Sequence, residues 1–214
     1  RRQRQMCIRD SIFTNANNAF DEVRNAEKEG YKFIHPFDGT YTLQGSATLG
    51  LEIANQIKNL NTTIDNIFIS VGGGGLVSGI GSTLKQIFPH IKIIGVEPNG
   101  AKGMTDSLKK NVPLDKVEID SIADSLCAPL HLPYSFDVAS KVIDQMINIS
   151  DKDMIESMKF AFKNLKLFLV PSCVAGFAAL KKLNFSKFSN QNTLILLCGS
   201  NIDNQSWKQM IKTS

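Results

Sequence analysis

The chain has 214 residues, of which 43% are hydrophobic and 21% charged, a composition typical of a globular protein with one or two domains. Its formal net charge is +4, and residues 1–11 supply +3 of it through four arginines and one aspartate. The rest is near neutral, which gives no support for a nucleic-acid or membrane-surface protein. No apolar run reaches the length of a transmembrane helix.

Residues 1–11 differ in composition from the rest of the chain. After them the only arginine is Arg24, and lysine is otherwise the basic residue. We interpret this segment as a non-native leader that resembles translated adapter sequence, and we leave it out of the fold prediction. The alternative is a native basic arm that binds nucleic acid.

Helical and strand patterns alternate along the remaining chain. Hydrophobic periodicity predicts helices at residues 17–29, 45–57, 76–88, 136–146, 151–164 and 174–183. Strands are predicted at residues 31–34, 67–71, 91–96, 147–149 and 193–197. Ser150 and Asp153 have the spacing of a capping box that starts a helix. Residues 98–135 contain four prolines and few long periodic runs, so they are predicted to be loop-rich. Strands separated by helices predict an α/β fold with a parallel sheet.

The most informative segment is a predicted strand that runs into four consecutive glycines, Gly72 to Gly75, and then into a helix. Glycine lacks Cβ, so its backbone can take positive φ and approach a ligand closely. Successive N–H groups and a helix N-terminus then favour an anion, which predicts a phosphate site. A tight turn is the alternative, although one glycine would suffice for it. The spacing excludes both a Walker A loop and a dinucleotide G-x-G-x-x-G motif.

The four cysteines show no paired spacing, and the three histidines are scattered. Free thiols are typical of a reducing compartment, so we expect a cytoplasmic protein. We predict no metal site from the histidines.

The segment S-V-G-G-G-G-L resembles the phosphate loop of pyridoxal-phosphate (PLP) enzymes with the tryptophan-synthase-β-like fold, known as fold type II. Within that group it is similar to the threonine/serine dehydratases and serine racemases. Other stretches resemble motifs of this family in the same order, at His35–Asp38, Gly45–Ile53, Val96–Pro98, Ser121–Asp124 and Cys198–Asp203. The resemblance implies a three-layer αβα fold with a mostly parallel sheet, incomplete at the N-terminus. Residues 12–38 would be a remnant of the small domain and residues 39–214 the large PLP-binding domain.

The resemblance also implies roles for particular residues. Gly72, Gly73, Gly74, Gly75 and Leu76 would present N–H groups to the phosphate of pyridoxal 5'-phosphate. Cys198 would face its pyridine nitrogen, where a neutral thiol suits β-elimination; a buried core cysteine is the alternative for Cys198. The family's Schiff-base lysine and its substrate-carboxylate loop occur nowhere in the sequence, so we expect both upstream of this chain and predict no catalytic residue within it.

Several positions depart from the family pattern. Ala47, Ser125 and Ser200 replace glycines, and Val170 replaces a glutamate. Some family members bind a divalent cation through the glutamate of V-E-P and an aspartate six residues later. The second position is glycine here, so Glu97 lacks its partner and we predict no metal site.

The resemblance implies that the intact protein is a PLP-dependent lyase, a threonine/serine ammonia-lyase, or a serine racemase, acting on a small hydroxy amino acid. It also implies a homodimer or homotetramer. One alternative is a non-catalytic module that binds phosphate or PLP without a Schiff-base lysine. Another is a different reaction of the same fold, such as β-replacement, threonine synthesis or diamine ammonia-lyase chemistry. We expect this chain alone to be inactive.

Overall fold

The computed structural model describes residues 19–212, so the predicted leader lies outside the described residues. The chain divides into two compact units, with the division between His35 and Pro36. In the first unit, helix α1 spans Ala19–Lys28. The strand predicted at residues 31–34 is wrong, because a strand requires a hydrogen-bonded neighbour and these residues join no sheet. That the units correspond to a small-domain remnant and a large domain stays a prediction.

The second unit contains a parallel sheet of four strands among the described residues, in the order β3-β2-β1-β4. The strands are β1 (Asn66–Ser70), β2 (Lys92–Pro98), β3 (Gln145–Ile149) and β4 (Thr193–Ile195). The helices are α2 (Thr40–Asn59), α3 (Gly75–Ile87), α4 (Gly103–Lys110), α5 (Pro133–Val142), α6 (Asp151–Leu165), α7 (Ala175–Lys182) and α8 (Asn204–Lys212). The predicted α/β architecture with a parallel sheet is confirmed.

The sheet separates two hydrophobic cores, as the two-residue period of a strand requires. In β1, Ile67 and Ile69 pack in one core with residues of α2, α3 and α5. Phe68 points to the other core, which includes residues of α6, α7 and α8. All three side chains are fully buried, so helices cover both faces of the sheet.

Two local predictions agree with the structure. The capping box is confirmed: Asp153 N–H donates to Ser150 Oγ at 3.2 Å, and Ser150 N–H donates to the Asp153 carboxylate at 2.9 Å. Residues 98–135 are loop-rich as predicted, and within them lies the short helix α4. Its first-turn N–H groups bond to a carboxylate of β2, a partner that local periodicity does not reveal. None of the described helices is long and apolar enough to cross a membrane.

Candidate phosphate and cofactor site

The predicted glycine loop connects the carboxyl end of β1 to the first turn of α3. Gly74 precedes the helix in a left-handed conformation, with φ of 96°, and no side chain caps the helix. Ser78 N–H donates to the Gly74 carbonyl at 2.9 Å, which begins the helical hydrogen-bond series. In the described part of the chain, no group accepts a hydrogen bond from the N–H groups of residues 72–77. Such a row of free donors at a helix N-terminus is suited to a phosphate group.

Close packing explains why this loop requires glycine at successive positions. A Cβ at Gly73 would lie 2.1 Å from Cγ of Phe37, and one at Gly75 would lie 2.6 Å from the Phe37 carbonyl oxygen. On the other side, a Cβ at Gly72 would lie 3.1 Å from the Ser125 carbonyl oxygen and from Cα of Leu126. The loop is therefore held between two segments that leave no room for side chains.

The residue after Phe37 fixes the position of this neighbouring segment. Asp38 accepts a hydrogen bond of 2.7 Å from Ser135 N–H, in the first turn of α5. The carbonyl of Ser135 in turn accepts a bond of 3.0 Å from the buried hydroxyl of Ser78 in α3. The H-P-F-D motif is thus tied to the same helix that contacts α3, which holds the Phe37 ring against the glycine loop.

Cys198 lies at the same edge of the sheet as the glycine loop. It follows β4, which pairs in parallel with β1 so that Phe68 is opposite Ile195. A hydrogen bond of 2.7 Å from Ser70 Oγ to the Ser172 carbonyl ties the end of β1 to the segment before α7. The residue after Cys198 contacts the same segment, since Val170 N–H donates to the Gly199 carbonyl at 3.2 Å. The roles of the glycine loop and of Cys198 in binding a cofactor stay predictions.

A second cysteine, for which the sequence predicted no role, lies beside Cys198. Cys173 Sγ accepts hydrogen bonds from the backbone N–H groups of Cys198 at 3.1 Å and Gly199 at 3.2 Å. Hydrogen bonding from the Cys198 thiol and from these two N–H groups lowers the pKa of Cys173 to about 6, although burial opposes the shift. The interaction with Cys173, together with burial, raises the pKa of the Cys198 thiol. The two thiols are far apart in sequence, so only the sheet order could have indicated this contact.

Glu97, which has no aspartate partner six residues later, caps a helix. Its carboxylate accepts hydrogen bonds from Thr105 N–H at 2.8 Å, from Met104 N–H at 3.1 Å and from the side-chain amide of Asn148 at 3.1 Å. Burial raises its pKa, and these hydrogen bonds oppose that effect. Among the described residues there is no group of three or more histidine, cysteine, aspartate and glutamate side chains that could hold a metal ion.

His131 occupies the space beside the position where that aspartate would stand. A Cβ at Gly103 would lie 2.7 Å from Nε2 of His131. The imidazole is 4% exposed, and its Nδ1 has no hydrogen-bond partner in the part of the chain that the structure describes. Burial lowers the pKa of His131 to about 4, so the ring is neutral at physiological pH.

The contact between Phe37 and Gly73 predicts a coupled pair of substitutions. Gly73→Ala should destabilise the chain by about 1–3 kcal/mol, because the added methyl group overlaps the Phe37 ring. In the double variant Gly73→Ala/Phe37→Ala the overlap is gone, so the two effects should not add. Urea unfolding of the two single variants and the double variant measures the coupling. Strictly additive losses would contradict the close contact.

The buried imidazole predicts a pH dependence of stability. Between pH 6.5 and about 4 the unfolded chain binds a proton at His131 that the folded chain excludes, so the free energy of unfolding falls as the pH falls. The loss from this group is at most about 3 kcal/mol. Urea unfolding from pH 7 to pH 4 should show a flatter profile for His131→Leu. Replacement of the exposed His90 by glutamine is the control, and an equal flattening there would refute the assignment.

Comparison with known proteins supports the predicted family. Residues 9–199 match the family described as pyridoxal-phosphate dependent enzyme. Phenylserine dehydratase of Ralstonia pickettii is 37% identical over 190 residues, which cover 88% of this chain and 57% of that protein. Threonine dehydratase 2 biosynthetic, chloroplastic, of Solanum lycopersicum is 35% identical over 192 residues, which cover 86% of this chain and 31% of that protein. The chain therefore spans less than two thirds of the length of these curated relatives.

Solved structures give the same result for the fold. The processed form of threonine deaminase isoform 2 from Solanum lycopersicum superposes with a TM-score of 0.79 at 34% identity, covering 89% of this chain and 52% of that one. Maize serine racemase superposes with a TM-score of 0.79 at 29% identity, covering 95% of this chain and 63% of that one. The predicted fold type II architecture and its subgroup of dehydratases and serine racemases are confirmed. The chain belongs to the family of pyridoxal-phosphate-dependent enzymes.

Proposed function

We propose that the intact protein is a PLP-dependent ammonia-lyase acting on a small hydroxy amino acid, as a threonine or serine dehydratase does, or a closely related serine racemase. This chain then forms its C-terminal part, with residues 39–214 as the cofactor-binding domain and residues 12–38 as a remnant of the small domain. The protein acts in the cytoplasm as a homodimer or homotetramer. The observation that carries the proposal is the row of N–H groups at the start of α3 that find no acceptor among the described residues, in a chain of this family.

The glycine loop would hold the cofactor phosphate. The N–H groups of Gly72 to Gly75 and of Leu76 donate to phosphate oxygens, and the N-terminal end of α3 adds partial positive charge. Phe37 and Leu126 pack against the loop, so the donors are already fixed before the anion arrives. A fixed array of donors binds an anion without the cost of ordering a flexible loop.

Cys198 would contact the pyridine nitrogen of the cofactor. Its raised pKa keeps the thiol neutral at physiological pH, so it offers no negative charge to hold a proton on that nitrogen. When bound, the cofactor supplies an electron sink for the charge that develops on the substrate α-carbon. A neutral partner leaves that sink weak, which suits loss of a β-hydroxyl group. The lysine motif and the substrate-carboxylate loop of the family do not occur in this sequence.

A non-catalytic phosphate-binding module is the second candidate. The lysine motif of the family occurs nowhere in the chain, whereas the donors of the glycine loop all come from its own residues. Such a module would bind PLP reversibly through its phosphate and perform no chemistry. The two candidates therefore share the phosphate site and differ in activity, so each property needs its own experiment.

Substitution at Leu76 tests the phosphate site. This half-buried residue is in the first turn of α3. An acidic side chain there stabilises the helix through its dipole, but it repels an anion bound to the N–H groups of the same turn. We expect Leu76→Asp to weaken binding of PLP to the 214-residue chain about tenfold or more, and Leu76→Asn, which is uncharged and of the same shape, to weaken it less. Titration calorimetry, with inorganic phosphate as competitor, measures both affinities. Equal affinities of the two variants would argue against the site.

Activity of the protein expressed from its complete gene separates the two candidates. With PLP added, we expect it to convert serine or threonine to the corresponding keto acid and ammonia, which a coupled dehydrogenase assay detects. Chiral chromatography of the remaining serine would reveal a racemase. Absence of turnover with phosphate binding intact would favour the binding module over the lyase.

A further inference from the structure

We propose that Cys173 and Cys198 are a redox-active thiol pair, which a peroxide converts to an intramolecular disulfide. This inference goes beyond the proposed lyase function and does not depend on it, since the reaction needs only the two thiols and the oxidant.

The backbone geometry already holds the two residues together. Cys173 Sγ lies 3.1 Å from the backbone nitrogen of Cys198 and 3.2 Å from that of Gly199. A Cβ at Gly199 would lie 3.6 Å from Cβ of Cys173. A disulfide needs neighbouring backbones, and the Cys173 side chain directly contacts the backbone of Cys198.

The two sulfur atoms have different surroundings, which suits two different roles. Cys198 is exposed, so a small oxidant reaches the thiol pair from solvent. Cys173 is 1% exposed and lies two residues before α7, where its sulfur accepts two backbone N–H bonds. These bonds and the helix N-terminus favour a thiolate at Cys173. Cys173 therefore supplies the nucleophilic sulfur, and the neutral thiol of the exposed Cys198 completes the reaction.

The reaction balances with hydrogen peroxide as the oxidant. The Cys173 thiolate attacks a peroxide oxygen; an S–O bond forms, the O–O bond breaks, and hydroxide leaves and takes up a proton to become water. Cys198 Sγ then attacks the Cys173 sulfur and gives up its proton; the S–S bond forms, the S–O bond breaks, and a second water leaves. The two thiols lose two electrons in total, and the peroxide accepts both.

Cys127 provides an internal control for the pairing. It is partly buried, and its thiol lies 3.3 Å from the Ala123 carbonyl oxygen and 3.9 Å from that of Ser121. Burial and the nearby Asp124 and Asp151 carboxylates raise the pKa of this thiol. If Cys198 formed disulfides without regard to geometry, it would pair with Cys127 as well as with Cys173. A disulfide to Cys173 alone would therefore show that the contact in the structure determines the pairing.

The experiment is peroxide treatment of the 214-residue chain without cofactor, followed by alkylation under denaturing conditions and tryptic mass mapping. We expect the free thiols to fall from four to two. A peptide that joins residues 167–181 to residues 188–208, and that dithiothreitol separates, should appear. Absence of this cross-linked peptide would overturn the proposed thiol pair. It would not affect the proposed lyase function, because the experiment is done without cofactor.

Serine variants identify the partners. Cys127→Ser should still form the cross-linked peptide. Cys173→Ser should keep its remaining thiols at a peroxide dose that consumes the pair in the unsubstituted chain, and Cys198→Ser should form no cross-link. In the unsubstituted chain, oxidation of Cys173 or Cys198 to the sulfinic or sulfonic acid without a cross-link would overturn the proposal, as would a disulfide between either residue and any other cysteine. The mapping of the unsubstituted chain keeps the test decisive even if a variant does not fold.

Discussion

The N–H groups at the start of α3 need an acceptor, and the surrounding protein supplies none among its described residues. Leaving such groups unsatisfied costs free energy, and the side chain of a typical N-cap residue would satisfy one of them. Here that position is Gly74 instead. The packing around the loop reinforces this arrangement, since Phe37 and Leu126 occupy the space that side chains would need. The sequence thus gives up a stabilising cap and keeps donors for a ligand.

Sheet order gives this loop its chemical surroundings. Because β4 pairs with β1 in parallel, the chain after β4 ends at the same edge as the glycine loop. The segment before α7 joins these two ends through the Ser70 hydroxyl and the Cys173 thiol. Val170, where the family usually has glutamate, packs against this junction, because a Cβ at Gly199 would lie 3.0 Å from its Cγ2. Val170 therefore makes an apolar contact at this junction, whereas a glutamate carboxylate in its place would repel a thiolate at Cys173.

Sequence patterns correctly predicted the features that depend on interactions between residues close together in the chain. The alternation of strands and helices, the capping box at Ser150 and the glycine loop each depend on residues close together in sequence, and the structure contains all three. Contacts that hydrophobic periodicity does not reveal determined the rest. The first turn of α4 donates to the Glu97 carboxylate of β2, and the Cys173 contact depends on the order of the strands. Residues 31–34 had strand character, but they pair with no strand among residues 19–212.

Phosphate binding and covalent catalysis depend on different kinds of groups in a protein of this family. A phosphate site made of backbone N–H groups depends on the loop and helix of one chain segment, so it can be complete in a chain that covers only part of its relatives. Covalent catalysis by contrast needs a particular side chain, and the lysine motif of the family is absent from this sequence. In the proposed function, affinity for the cofactor phosphate and turnover of an amino acid would consequently be properties of different parts of the whole protein. Cys198 lies between the two, since it belongs to this chain but would act only on the ring of the cofactor, where the chemistry occurs.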